Sequence, residues 1–160
     1  MSNYVPTRPR HVGVAAKRIF PLVASQFNPE YVQGLVNHAT EELRALAPNA
    51  VVTLHLVPGA FEIPVLVREL ALNGKADAIL ALGVIIQGST KHADHLASSV
   101  TNALQQIAIE YGVPVINAVL GVENEEQARE RCLGSRINRG IEAARAAIQI
   151  SNTMSELRTN

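Results

Sequence analysis

Tryptophan is absent from the 160 residues, and only three Phe and three Tyr are present. A chain so poor in aromatics offers no row of rings on which successive bases stack. Charge of one sign is missing too, since 14 basic residues balance 14 acidic ones. The basic footprint of a nucleic-acid binder is therefore lacking. A single cysteine, Cys132, cannot form an internal disulfide, and no Cys/His cluster shows metal-ligand spacing. Cys132 reads as a structural thiol. The longest apolar run, residues 76–86, contains Asp77 and is too short to span a bilayer. Residues 1–17 are partly basic but lack the apolar centre of a signal peptide. The expectation is a reduced, soluble, cytoplasmic protein.

What is present suits one globular domain with a real core: 48% of residues are apolar and 18% charged. Residues 1–17 read as a loose arm, with a weak strand signal at His11-Val12-Gly13-Val14. Residues 19–24 form a short apolar run, a strand weakened by Pro21. Asn28-Pro29 then opens a helix, with Asn28 as its N-cap, and Val32, Leu35, Val36, Ala39, Leu43 and Leu46 recur at helical spacing. Strand-like β-branched residues occupy 51–57, and residues 63–72 read as a helix ended by Asn73-Gly74. A strand is predicted over 77–86, apolar throughout after Asp77, as in a strand buried on both faces. A long helix is predicted over 90–111, a strand over 113–120, and a helix opened by the capping-box pattern of Asn124-Glu125-Glu126-Gln127. A last helix is predicted over 138–150, with a polar, frayed tail over 151–160. Alternation of strands and helices predicts a four-stranded parallel sheet covered on both faces, in one domain over 18–150.

Such sheets bind ligands beyond the carboxyl ends of their strands. The third strand ends in Gly88-Ser89-Thr90 at the mouth of a helix. Glycine there permits close backbone approach, and the helix start favours an anion. Plain helix capping explains the same triplet without a ligand. His92 follows and is a candidate general acid or base, or simply a surface histidine in a first turn. His92 and His95 lack a third ligand for a metal site. Glu62 stands among Phe61, Ile63 and Pro64, either poorly solvated or an ordinary first-turn acid. Phe27 suits stacking on a flat ligand or packing in the core. Arg131 and Arg139 read as solvated charges or as anion clamps. Together these residues suggest a small anionic substrate and proton transfer.

Several segments match a known family in order and spacing. They are Phe27-Asn28, Val57-Pro58-Gly59-Ala60-Phe61-Glu62-Ile63-Pro64, Leu82-Gly83-Val84-Ile85-Ile86 followed by Gly88-Ser89-Thr90, His92 and Asp94, then Gly112-Val113-Pro114-Val115-Ile116 and Glu123-Asn124 with Glu126-Gln127-Ala128 and Glu130-Arg131. Over residues 19–150 the chain resembles the lumazine synthases (6,7-dimethyl-8-ribityllumazine synthases). The resemblance implies a flavodoxin-like three-layer α/β/α sandwich. It implies a transferase of riboflavin biosynthesis that condenses 5-amino-6-(D-ribitylamino)uracil with 3,4-dihydroxy-2-butanone 4-phosphate. An imine forms, phosphate leaves, the ring closes and water is lost, without cofactor or metal. It also implies homopentamers with sites between subunits, and association with riboflavin synthase. A non-catalytic flavin- or pteridine-binding protein on the same fold is the alternative; it has no need of a phosphate cradle beside a proton shuttle.

By matching position, the resemblance gives Phe27 a stacking role on the pyrimidine. Ala60, Phe61 and Glu62 would hold the ribityl chain, and Val84, Ile85 and Ile86 would line the pyrimidine site. Ser89 and Thr90 would contact the phosphate, with Arg131 from a neighbouring subunit and Arg139 as a helper. His92 would transfer protons. The chain departs from the family pattern in three places. Gln87 replaces an arginine, Asn117 replaces a frequent aromatic but could hydrogen-bond the pyrimidine, and Arg139 replaces a lysine. Residues 135–139 lack the glycine-rich turn of many relatives, which leaves a free pentamer, a decamer and a sixty-subunit shell open. The N-terminal arm would pack on a neighbour through residues 11–17.

Overall fold

β-Branched and aliphatic runs separate the helices along the chain, and each run becomes a strand. The computed structural model describes residues 6–7 and 17–159. The strand expected at residues 11–14, and the neighbour contact expected of the arm, lie outside the described residues, apart from Lys17. Among the described residues four strands, β1 (Ile19–Ser25), β2 (Val51–Val57), β3 (Ile79–Ile86) and β4 (Val115–Val122), form one parallel sheet in the order β2-β1-β3-β4. Five helices connect and cover them: α1 (Pro29–Leu46), α2 (Ile63–Leu72), α3 (His92–Tyr111), α4 (Glu125–Leu133) and α5 (Arg139–Thr159). This is the α/β architecture expected from the sequence, with the strand order of a flavodoxin-like sheet.

Side chains of a strand alternate between faces, and here each face has its own core. Phe20, Leu22, Leu80 and Leu82 pack with Leu35 and Leu43 of α1 and Ile148 of α5. Val23, Ile79 and Ala81 pack on the other face with Ile63 and Val67 of α2 and Val100 and Leu104 of α3. Burial on both faces explains why β3 reads as one continuous apolar run. Each fully buried Leu or Ile contributes about 1.5–3 kcal/mol through its removal from water. Pro21 is tolerated because the β1–β3 ladder begins at Leu22↔Leu80, one residue beyond it.

Several element boundaries differ from the sequence reading; β3, for one, starts at Ile79, two residues later than expected. The helix expected from Thr90 starts at His92, leaving Ser89 and Thr90 in an exposed bend. The fourth strand starts at Val115 and runs to Val122, two residues later than expected at each end. The last helix does not stop at residue 150 and fray: α5 continues to Thr159. Its polar residues serve the helix, since Ser151 Oγ donates to the Ile148 carbonyl at 2.9 Å and Thr153 Oγ1 to the Gln149 carbonyl at 3.1 Å. Arg158 also donates to the Gly112 carbonyl at 2.9 Å, tying the last turns to the end of α3. Finally, Asn28 stands at the N-cap of α1 but makes no side-chain cap bond. The expected cap is real at α4, where Asn124 Oδ1 accepts from the Gln127 backbone N–H at 2.9 Å. Gln127 Oε1 in turn accepts from the Glu123 N–H, one residue earlier than a capping box requires.

Candidate active site

Parallel strands deliver all four carboxyl ends to one edge of the sheet. The chain reverses direction across the sheet between β1 and β3, and a crevice opens at such a point. A cavity of about 540 Å³ lies there. Its wall is formed by Ser25, Phe27 and Asn28 after β1, by Gly59, Ala60, Phe61 and Glu62 after β2, by Val84, Ile85 and Ile86 of β3, and by His92 and Leu96 of α3. The volume is that of a small-molecule site.

Local chemistry explains how each part is held. After β2, Pro58-Gly59 turns the chain into a short 3-10 turn, Ala60–Glu62, that leads into α2. Glu62 folds back, and its Oε2 accepts from the Gly59 N–H at 2.9 Å. A Cβ on Gly59 would sit 3.2 Å from two carbons of the Phe27 ring and 3.1 Å from Glu62 Oε2. Glycine is therefore what lets the ring and the carboxylate approach the same backbone. Phe27 and Phe61 are 69% and 68% exposed, so neither ring belongs to the core. Asn28 adopts the left-handed region (φ 54°, ψ 56°), which costs most L-residues about 1–2 kcal/mol and Asn less. Its amide Nδ2 donates to the Val84 carbonyl at 2.8 Å.

His92 is the first residue of α3 and is exposed at the cavity wall. Among the described residues, Glu62 and His92 are the only titratable ones lining the cavity, and no Lys or Arg does. Ser89 and Thr90 lie in the exposed bend between β3 and His92 but are not part of the lining. Gly88 has open space around its Cβ position, so none of the described residues requires glycine there.

The family model for 6,7-dimethyl-8-ribityllumazine synthase matches residues 18–155. The chain belongs to that family. Among curated relatives, the 6,7-dimethyl-8-ribityllumazine synthase of Chlorobium phaeobacteroides is 43% identical over 134 residues, which covers 83% of this chain and 86% of that protein. The enzyme of the same name from Chlorobium limicola is 41% identical over 141 residues, covering 87% and 91%. Membership makes the chain a lumazine synthase, a transferase of riboflavin biosynthesis.

Three residues singled out in the sequence lie away from this cavity. Asn117 is exposed on β4, where its Nδ2 donates to Thr101 Oγ1 at 3.2 Å and its Oδ1 accepts from the Val119 N–H at 3.1 Å. Arg131 is half-buried on α4; among the described residues its guanidinium donates to the Gln127 carbonyl at 3.4 Å, and its buried Nε has no partner. Arg139 opens α5 and pairs with Glu142. Cys132, next to Arg131, is fully buried. Burial pushes its thiol up to about 11, against the smaller opposing pull of Arg131. Among the described residues no group of three His, Cys, Asp or Glu side chains could hold a metal ion, and no helix is long and apolar enough to cross a membrane.

Ser25, Asn28, Gly59 and Leu96 line the cavity without having been singled out as candidate site residues. Asn28 read as a cap, although it also stood in the Phe27-Asn28 segment of the resemblance. Ser25 and Gly59 matter through position, and neither residue type signals that in a sequence. Gly59 did stand within a segment carrying the family resemblance, and that was the available clue.

Proposed function

We propose that the cavity condenses 5-amino-6-(D-ribitylamino)uracil with 3,4-dihydroxy-2-butanone 4-phosphate through an imine, phosphate elimination and ring closure. Phe27 stacks on the pyrimidine. Backbone groups of Val84, Ile85 and Ile86 hydrogen-bond its edge. Ala60, Phe61 and Glu62 hold the ribityl chain. Ser89 and Thr90 contact the phosphate, and His92 moves protons beside it. Anchoring the phosphate next to the proton shuttle aligns the bond that breaks with the group that assists it.

A cavity walled by two exposed aromatic rings and His92, yet by no Lys or Arg among the described residues, carries this reading. A phosphate needs cations. The chain is therefore read as one part of a homopentamer of the cytoplasm, in which Arg131 of a neighbouring copy pairs with the phosphate. Arg139 assists, and Asn117 of the neighbour hydrogen-bonds the pyrimidine.

The test is product formation by the purified protein with both substrates, followed by lumazine absorbance and corrected for the spontaneous reaction. Saturable turnover is expected. His92→Ala, folded and still assembled, should lose about 10²–10⁴-fold in kcat, the span of a general acid–base contribution. Background rate alone from a wild-type oligomer that still binds the pyrimidine would replace the enzyme with a binding protein on this fold.

A further inference from the structure

We propose that Asn28 is a positioning residue that holds Phe27 over the cavity by tying the turn after β1 to β3. The proposal deepens the synthase reading and rests on it for the identity of the ligand.

Asn28 occupies an N-cap, where an Asn side chain ordinarily stabilises the helix. Here it makes no cap bond. Its amide donates instead to the Val84 carbonyl at 2.8 Å, a partner 56 residues away. Among the described residues Asn28 is also the only non-glycine with positive φ. Non-glycine residues in this region cluster at functional sites, where surrounding structure holds them. The left-handed turn bends the chain sharply between β1 and α1, and Phe27 stands immediately before it. An exposed ring gains little orientation from packing, so its place is set by the backbone that carries it. The Asn28 bond fixes that backbone to Val84, which lines the cavity with the ring. One hydrogen bond thus sets the gap between ring and strand, the slot that a flat heterocycle enters.

Asn28→Gly keeps the left-handed backbone and removes the bond. Asn28→Asp keeps a side chain of the same length that tolerates this region, but removes the donor and points a carboxylate at a carbonyl. Each variant is made alone and with Phe27→Ala, and KM, kcat and the Kd for 5-amino-6-(D-ribitylamino)uracil are measured. In the Phe27 background, Asn28→Gly should raise KM and Kd about tenfold with kcat within about threefold, and Asn28→Asp at least as much. In the Phe27→Ala background the same changes should shrink below about twofold, because residues acting as a unit are not additive. A purely structural role would give equal losses in both backgrounds, and that result overturns the proposal. So does Asn28→Gly with wild-type KM and Kd. A wild-type protein that binds but does not turn over defeats the synthase reading alone, and the Kd cycle still decides Asn28. A wild type that does not bind the pyrimidine defeats both.

Discussion

Gly59 shows how little a site residue has to offer as a side chain. Its φ of −139° is ordinary extended backbone, so alanine is not excluded by conformation. What excludes it is space. A Cβ would come within 3.1–3.2 Å of the Glu62 carboxylate and the Phe27 ring. The ring is mostly exposed and free to yield, so the fold absorbs the change and the site does not. Gly59→Ala is expected to raise KM for the pyrimidine about fivefold, with Tm within about 2 °C of wild type. Steady-state kinetics and a thermal melt on the same preparation check both parts. A large fall in Tm with unchanged KM would mean that Gly59 serves the fold.

Glycine acts differently where helices cross. Gly140 lies at the start of α5, and a Cβ there would stand 2.6 Å from the Leu35 carbonyl oxygen of α1 and 3.1 Å from His38 Cβ. Backbone cannot step aside as an exposed ring can. Alanine would gain at most about 1 kcal/mol of helix propensity, less so near the helix end. Overpacking costs about 1–3 kcal/mol, so it wins. Gly140→Ala should lower Tm by several degrees without altering the KM of the remaining folded enzyme. Asn138 fixes the same junction. Its Oδ1 accepts from the Gly140 and Ile141 N–H groups at 3.0 and 3.1 Å, and its Nδ2 donates to the Gly134 carbonyl at 2.9 Å. The sequence showed α5 over 138–150 but not its last turns. Periodicity fades there, and hydroxyl-to-carbonyl bonds and Arg158 take over. All four strands were legible, because each is an apolar run closed by polar or turn residues. The cavity was legible where it follows those strand ends. Asn28 stands at the N-cap as read, but its bond to Val84 was not legible, because one residue type serves equally to cap a helix or to bridge to a distant strand, and sequence records only the type.

Charge at the scale of the whole molecule separates the cavity from its cations. Among the described residues of one chain Glu62 and His92 are the titratable lining residues, while Arg131 and Arg139 lie elsewhere. A phosphate desolvated without a paired cation is costly, and its departure is the step that needs the charge most. If Arg131 reaches the site of a neighbour, then His92 and Arg131 of any one working site come from different chains. Neither His92→Ala nor Arg131→Ala protein alone contains a complete site. Co-expressed in equal amounts, they assemble at random around a closed ring. Each interface then unites an intact His92 with an intact Arg131 in about one case in four, half times half. Mixed oligomers should therefore recover about a quarter of wild-type kcat per chain, while either parent stays near background. Light scattering on the mixed and parent samples verifies that all three share one assembly size. Mixed oligomers of the correct size that recover nothing would mean that both residues serve a single chain, and the shared-site reading would fall even if the enzyme reading stood.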